Sequence, residues 1–166
     1  MESLESLVAA HGAALLRLAY MLCGSADSAQ DLMQETCLKL HRHWGKVALA
    51  DSPLAYSKRV MVNEFTRSAR RRSSSVLPLA ELPESSVNPP SASIEAQLAD
   101  RDHLWRMLAG LPRAERAAVV LRYYEDLSDS QAAALLGCRP STVRSNASKA
   151  LARLRRQVGE REEMSW

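Results

Sequence analysis

Cysteine, glycine and aromatic residues are scarce in this sequence: three, six and eight respectively among 166 residues. Cys23, Cys37 and Cys138 are odd in number and far apart, which excludes a paired disulfide framework and fits a reducing compartment. Cys37, His41 and His43 lie close in sequence, but no Cys-x-x-Cys pair accompanies them to complete the four ligands of a structural zinc site. The glycines are scattered, so no phosphate-cradling loop is present, and neither a nucleophile elbow nor an acid–base constellation is found. We therefore expect no enzyme, no metal, no cofactor and no small-molecule substrate. Strand-like alternation of polar and apolar residues is missing throughout. No apolar run approaches the roughly 20 residues of a bilayer span, and the acidic start Met1-Glu2-Ser3-Leu4-Glu5 lacks the order of a signal peptide. The expectation is a soluble, cytoplasmic protein without membrane insertion.

What is present is 46% hydrophobic and 25% charged, too apolar for a disordered tail. The net charge of +3 is unevenly spread: −2 over residues 1–57, +5 over 58–72, −4 over 73–100 and +4 over 101–166. Two basic blocks separated by an acidic spacer point to two places where one polyanion is held. The spacer holds four of the seven prolines (Pro78, Pro83, Pro89, Pro90) and seven serines between Ser73 and Ser93. Proline removes backbone donors and fixes φ, so this stretch reads as a flexible tether. The expected organisation is a domain over 1–72, a linker over 73–98, a second domain over 99–159 and a tail over 160–166.

Both flanking segments read as helical, giving an all-α fold of two small domains. Leu4, Leu7, Val8, His11, Leu15, Leu18 and Leu22 recur at helical spacing until Gly24. Ser25 or Asp27 caps a second helix with Ala29, Leu32, Met33, Thr36, Cys37 and Leu40 on one face. Ser52-Pro53 starts a third, which carries Leu54, Met61 and Phe65 inward and runs into Arg70, Arg71 and Arg72. In the second segment, residues 101–110 form one helix and Pro112 opens another that runs to about Tyr124.

Ser128 and Gln131 then form a capping box for a helix that stops at Gly137. The turn Gly137-Cys138-Arg139 leads to Pro140 and a further helix, whose Val143, Ala147, Ala150, Leu151 and Leu154 make an inward stripe. A short helix, a tight turn at glycine and a second helix anchored by valine constitute a helix-turn-helix. Its outward residues are Ser141, Thr142, Arg144, Ser145, Asn146, Ser148, Lys149 and Arg153, with Arg139 in the turn. Hydroxyls, an amide and cations are the groups that reach base edges and phosphates in a major groove. A solvated helix in an ordinary bundle is the weighed alternative.

Taken with the tether, these motifs resemble a bacterial RNA polymerase sigma factor of the extracytoplasmic-function type, in the sigma-70 family, and its short actinobacterial sigma-E-like members. The stretch Asp27-Ser28-Ala29-Gln30-Asp31-Leu32-Met33-Gln34-Glu35-Thr36 resembles the family's core-polymerase-binding helix. Residues 56–72 resemble its promoter-opening and −10-reading segment, and Leu111-Pro112 through Leu154-Arg155 resembles its −35-reading domain. The resemblance covers residues 4–158. Departures occur at Gln131-Ala132-Ala133, where Glu-Ile-Ala is common, and at Asn146, where arginine is common.

The resemblance implies that Asp31, Gln34, Glu35 and Lys39 meet core RNA polymerase at its β′ clamp helices. It implies −10 DNA binding by Lys58, Arg59, Asn63, Arg67, Arg70, Arg71 and Arg72, with Asn63 and the loop before Pro53 capturing bases. It implies −35 binding by Arg139, Ser141, Thr142, Arg144, Ser145, Asn146, Ser148, Lys149 and Arg153, and a contact of the second domain with the β flap. Promoter DNA and core polymerase are thus the expected partners, with an anti-sigma factor as a further one. The acidic tether is expected to occupy a polymerase channel. A free-standing helix-turn-helix regulator and a helical adaptor remain as alternatives on the residues alone.

Overall fold

A computed structural model describes residues 3–74 and 102–164, except the side chains at 70, 72–74, 102 and 161–164. The chain divides into two compact units, Met1–Asn88 and Pro89–Trp166, and among the described residues every regular element is helical. Unit 1 contains α1 (Leu4–Cys23), α2 (Ala26–Arg42), α3 (Trp44–Leu49) and α4 (Pro53–Ser74). Short polar side chains start these helices by accepting backbone N–H groups that would otherwise lack partners. Ser3 accepts from Ser6, Ser25 from Ser28 and Ser52 from Ala55, at 3.1, 3.3 and 3.1 Å. Gly24 ends α1 in the left-handed conformation, at φ 75°, which a side chain would strain.

Three of these helices, α1, α2 and α4, pack on one another. Leu7, Leu15, Leu18, Leu22, Leu40, Val47 and Met61 are fully enclosed, and burying each such side chain contributes about 1.5–3 kcal/mol. Helix α1 is the most apolar of these elements in the membrane sense. Its 20 residues are long and apolar enough to cross a membrane by length and composition alone. Its apolar side is already taken: six residues, from Leu7 to Leu22, are buried, where α2 and α4 pack. A core helix carries the same composition. Helix α4 runs to Ser74, two residues into the expected linker, and the rest of that linker (75–98) lies outside the described residues.

Unit 2 contains α5 (Asp102–Ala109), α6 (Arg113–Val119), a π-turn (Val120–Tyr124), α7 (Asp129–Leu136) and α8 (Pro140–Met164). The expected helix from Pro112 to Tyr124 is thus interrupted. Glu125 donates to Val120 and Leu127 to Leu121, at 3.1 and 3.0 Å, wider than the α-helical spacing. The widened turn keeps Val120 and Leu121 buried while Tyr123 and Tyr124 face solvent. Helix α8 continues to Met164, so the start of the expected tail is helical; residues 155–164 are mostly strong helix formers. Ser128 and Gln131 close the capping box at 3.1 and 2.9 Å. Ser128→Ala is expected to lower the stability of unit 2 by about 1 kcal/mol, read as a lower urea midpoint with an unchanged slope.

Candidate functional site

Three polar faces emerge from this packing. On α2, Leu32, Thr36 and Leu40 point into the core, and Asp31, Gln34 and Glu35 are exposed on the opposite side. Leu38 is on that side too and is 51% exposed, an apolar residue that the sequence reading did not assign to the face. Lys39, expected on the same face, is tied to a neighbouring helix. Its Nζ pairs with the carboxylate of Glu64 on α4, and its side chain is only 28% exposed. The carboxylate of Glu64 is itself buried, with Arg67 Nη1 3.7 Å away. A buried carboxylate needs such partners, because desolvating a lone charge costs several kcal/mol. Lys39 therefore joins α2 to α4, a pairing that spacing along α2 alone does not reveal.

Helix α4 presents a basic ridge. Arg59, Asn63, Arg67 and Arg71 follow one another at four-residue intervals, and all four are exposed. Lys58 is half-buried beside them, and the side chains of Arg70 and Arg72 lie outside the described set. Phe65 is buried, and half-buried Tyr56 packs on the cluster of Leu7, Leu40 and Val47, so both aromatic residues belong to the core. Just before α4, Leu49 is 88% exposed next to the segment 50–52.

In unit 2, α7 and α8 form the helix-turn-helix. Gly137 turns the chain at φ 69°, and its N–H and that of Cys138 both donate to the Ala133 carbonyl. Ala133, Val143, Ala147 and Ala150 are buried, and the small side chains let the two helices lie close. Arg139, Ser141, Thr142, Arg144, Ser145, Ser148, Lys149 and Arg153 are exposed, whereas Asn146 is half-buried. Two of these cations are tied within the unit. Arg144 Nε lies 3.2 Å from Asp129, and Arg153 Nε lies 2.8 Å from the buried carboxylate of Glu115 on α6. Arg153 thereby pins α8 to α6. Nearby, buried Arg116 donates to the Leu111 carbonyl at 3.0 Å, securing the α5–α6 connection. Nothing in the sequence marked Glu115 and Arg116 as buried, since both look like ordinary surface charges.

Among the described residues, no three His, Cys, Asp or Glu side chains cluster to hold a metal ion. Burial pushes the thiol of half-buried Cys37 up from the ordinary cysteine value, which leaves less of the reactive thiolate at neutral pH. The arrangement therefore offers binding faces: one acidic with an apolar centre, one basic ridge, and one hydroxyl-rich and cationic recognition surface.

Two family models and several known proteins match this chain. Residues 7–75 match the sigma-70 region 2 model and residues 101–154 the sigma-70, region 4 model. The RNA polymerase sigma-E factor of Streptomyces avermitilis is 37% identical over 161 residues, covering 95% of this chain and 86% of the relative. Its counterpart in Streptomyces coelicolor is 38% identical, covering 93% and 85%. The sigma factor SigM of Mycobacterium tuberculosis, of the extracytoplasmic-function type, is 30% identical, covering 93% and 76%. Among solved structures, the sigma factor RpoE of Bartonella quintana, in complex with the anti-sigma factor NepR, matches with a TM-score of 0.66. It is 23% identical and covers 96% of this chain and 98% of that one, a likeness of fold.

Proposed function

Because this chain belongs to the sigma-70 family of RNA polymerase sigma factors, in the extracytoplasmic-function group, we propose how its faces divide that work. The protein binds core RNA polymerase and directs promoter-specific initiation; the comparisons support this and not a free-standing regulator. In our reading the α2 face of Asp31, Gln34 and Glu35, with Leu38 at its centre, meets the β′ clamp helices. The ridge Arg59, Asn63, Arg67 and Arg71, with Lys58, Arg70 and Arg72, holds the −10 strand, and Asn63 with residues 50–52 captures a base. Helix α8 enters the major groove of the −35 element with Ser141, Thr142, Arg144, Ser145, Asn146, Ser148 and Lys149, joined by Arg139 from the turn before it. Arg153 serves mainly to seat that helix on α6.

The observation that carries this reading is the one-sided exposure of α8. Hydroxyls and cations lie outward, and Val143, Ala147 and Ala150 lie in the core. No catalysis belongs to the chain itself; polymerase supplies it. The protein acts in the cytoplasm, associated with the nucleoid when bound to polymerase. The second domain touches the β flap, and residues 73–98 serve as the tether between the domains. Since the Bartonella relative is bound to an anti-sigma factor, one belongs among the partners of this chain as well.

Phosphate contacts have a direct test. Each neutralised phosphate releases counterions and contributes about −0.7 to −0.9 to the slope of log affinity against log salt. Holoenzyme carrying Arg59→Ala/Arg67→Ala/Arg71→Ala is expected to lose about two units of that slope on promoter DNA. An unchanged slope would remove the ridge from the DNA interface.

A further inference from the structure

Asp129, the first residue of α7, is held on one side and holds on the other. Its Oδ1 lies 2.7 Å from Arg122 Nε, and its Oδ2 lies 3.2 Å from Arg144 Nε. Arg122 is fixed in turn, donating through Nη1 to the Leu127 carbonyl at 2.6 Å. A bridge from the π-turn, through the first helix of the motif, thus ends on the recognition helix. Such a contact adds little to stability, because the Arg144 side chain is 70% exposed. Its consequence is orientation. A guanidinium is planar, and one held through Nε leaves its two terminal amino groups, side by side, for guanine O6 and N7 in the major groove. A freely rotating arginine loses side-chain entropy on adopting that pose, and the anchored one loses less. We propose that Asp129 is a positioning residue: it presents Arg144 to a guanine of the −35 element and thereby sets specificity at one base pair. The inference rests on α8 being the recognition helix.

The test uses reconstituted holoenzyme on a promoter library randomised across the −35 element, with bound DNA sequenced. The parent protein is expected to favour guanine at one position by about tenfold or more. Arg144→Ala removes that preference and no other. Asp129→Asn weakens it by about threefold or more at the same position only. Asp129→Glu, which keeps the carboxylate, retains more of the preference than Asp129→Asn. The double variant Asp129→Asn/Arg144→Ala matches Arg144→Ala alone. The proposal is overturned if Asp129→Asn leaves the guanine preference intact while Arg144→Ala abolishes it. An equal loss at every −35 position in both Asp129 variants also overturns it, since that pattern means the carboxylate only supports the fold. If Arg144→Ala changes no −35 preference, the assignment of α8 fails first, and the two failures are told apart.

Discussion

Asp31→Lys/Glu35→Lys is expected to weaken binding to core RNA polymerase by about a hundredfold, because like charges brought together at an interface cost several kcal/mol. Both side chains are exposed on α2, away from Leu32, Thr36 and Leu40, so the unfolding free energy should stay within about 0.5 kcal/mol of the parent. A titration of labelled core polymerase at low and moderate salt separates these effects. The loss should shrink as salt rises, since screening weakens the introduced repulsion as well as the original attraction. Leu38→Ala on the same face should cost a smaller amount with little salt dependence, because it removes apolar contact rather than charge. An affinity within twofold of the parent for the charge-reversed protein would move the polymerase contact off α2.

Lys39→Met should be the most damaging single change in unit 1 that leaves its apolar core intact. It removes the principal partner of the Glu64 carboxylate, which is buried between α2 and α4. Breaking one side of a buried pair costs about 3 kcal/mol, at the lower end of the range for such losses because Arg67 remains 3.7 Å away. Lys39→Met/Glu64→Leu should recover most of that loss, since an apolar pair of similar size replaces buried ions at little cost. Amide exchange in α2 and α4 reports this unit separately from the other. Faster exchange is expected in the single variant and near-parental protection in the double. Equal protection in all three proteins would mean that the ion pair contributes nothing there.

Local signals in the sequence were readable where their partners are also local. Ser25, Ser52, Ser128 with Gln131, Gly24 and Gly137 each act within a few residues, so spacing alone located the ends of their helices. The helix-turn-helix was legible for the same reason. Helix α3 was not: it has six residues, and its Val47 is buried through packing against Leu7 and Leu40 from other helices. The same limit applied to the site. Which exposed cations are tied inside the protein depends on acids distant in the chain, as with Arg153 and Glu115, 38 residues apart. Periodicity placed Lys39 and Arg153 on polar faces, and only tertiary packing shows that each is paired with a buried carboxylate of another helix. Leu38 was missed for the opposite reason, since an apolar residue next to a core stripe reads as core.

This chain confers promoter choice on a polymerase that lacks it. Purified bacterial core polymerase should be tested on fragmented genomic DNA from the host, with and without the protein. Discrete new transcripts are expected only when both components are present, and they should disappear with the Asp31→Lys/Glu35→Lys variant. No stimulation by the parent protein, combined with tight sequence-specific DNA binding by the chain alone, would contradict the account.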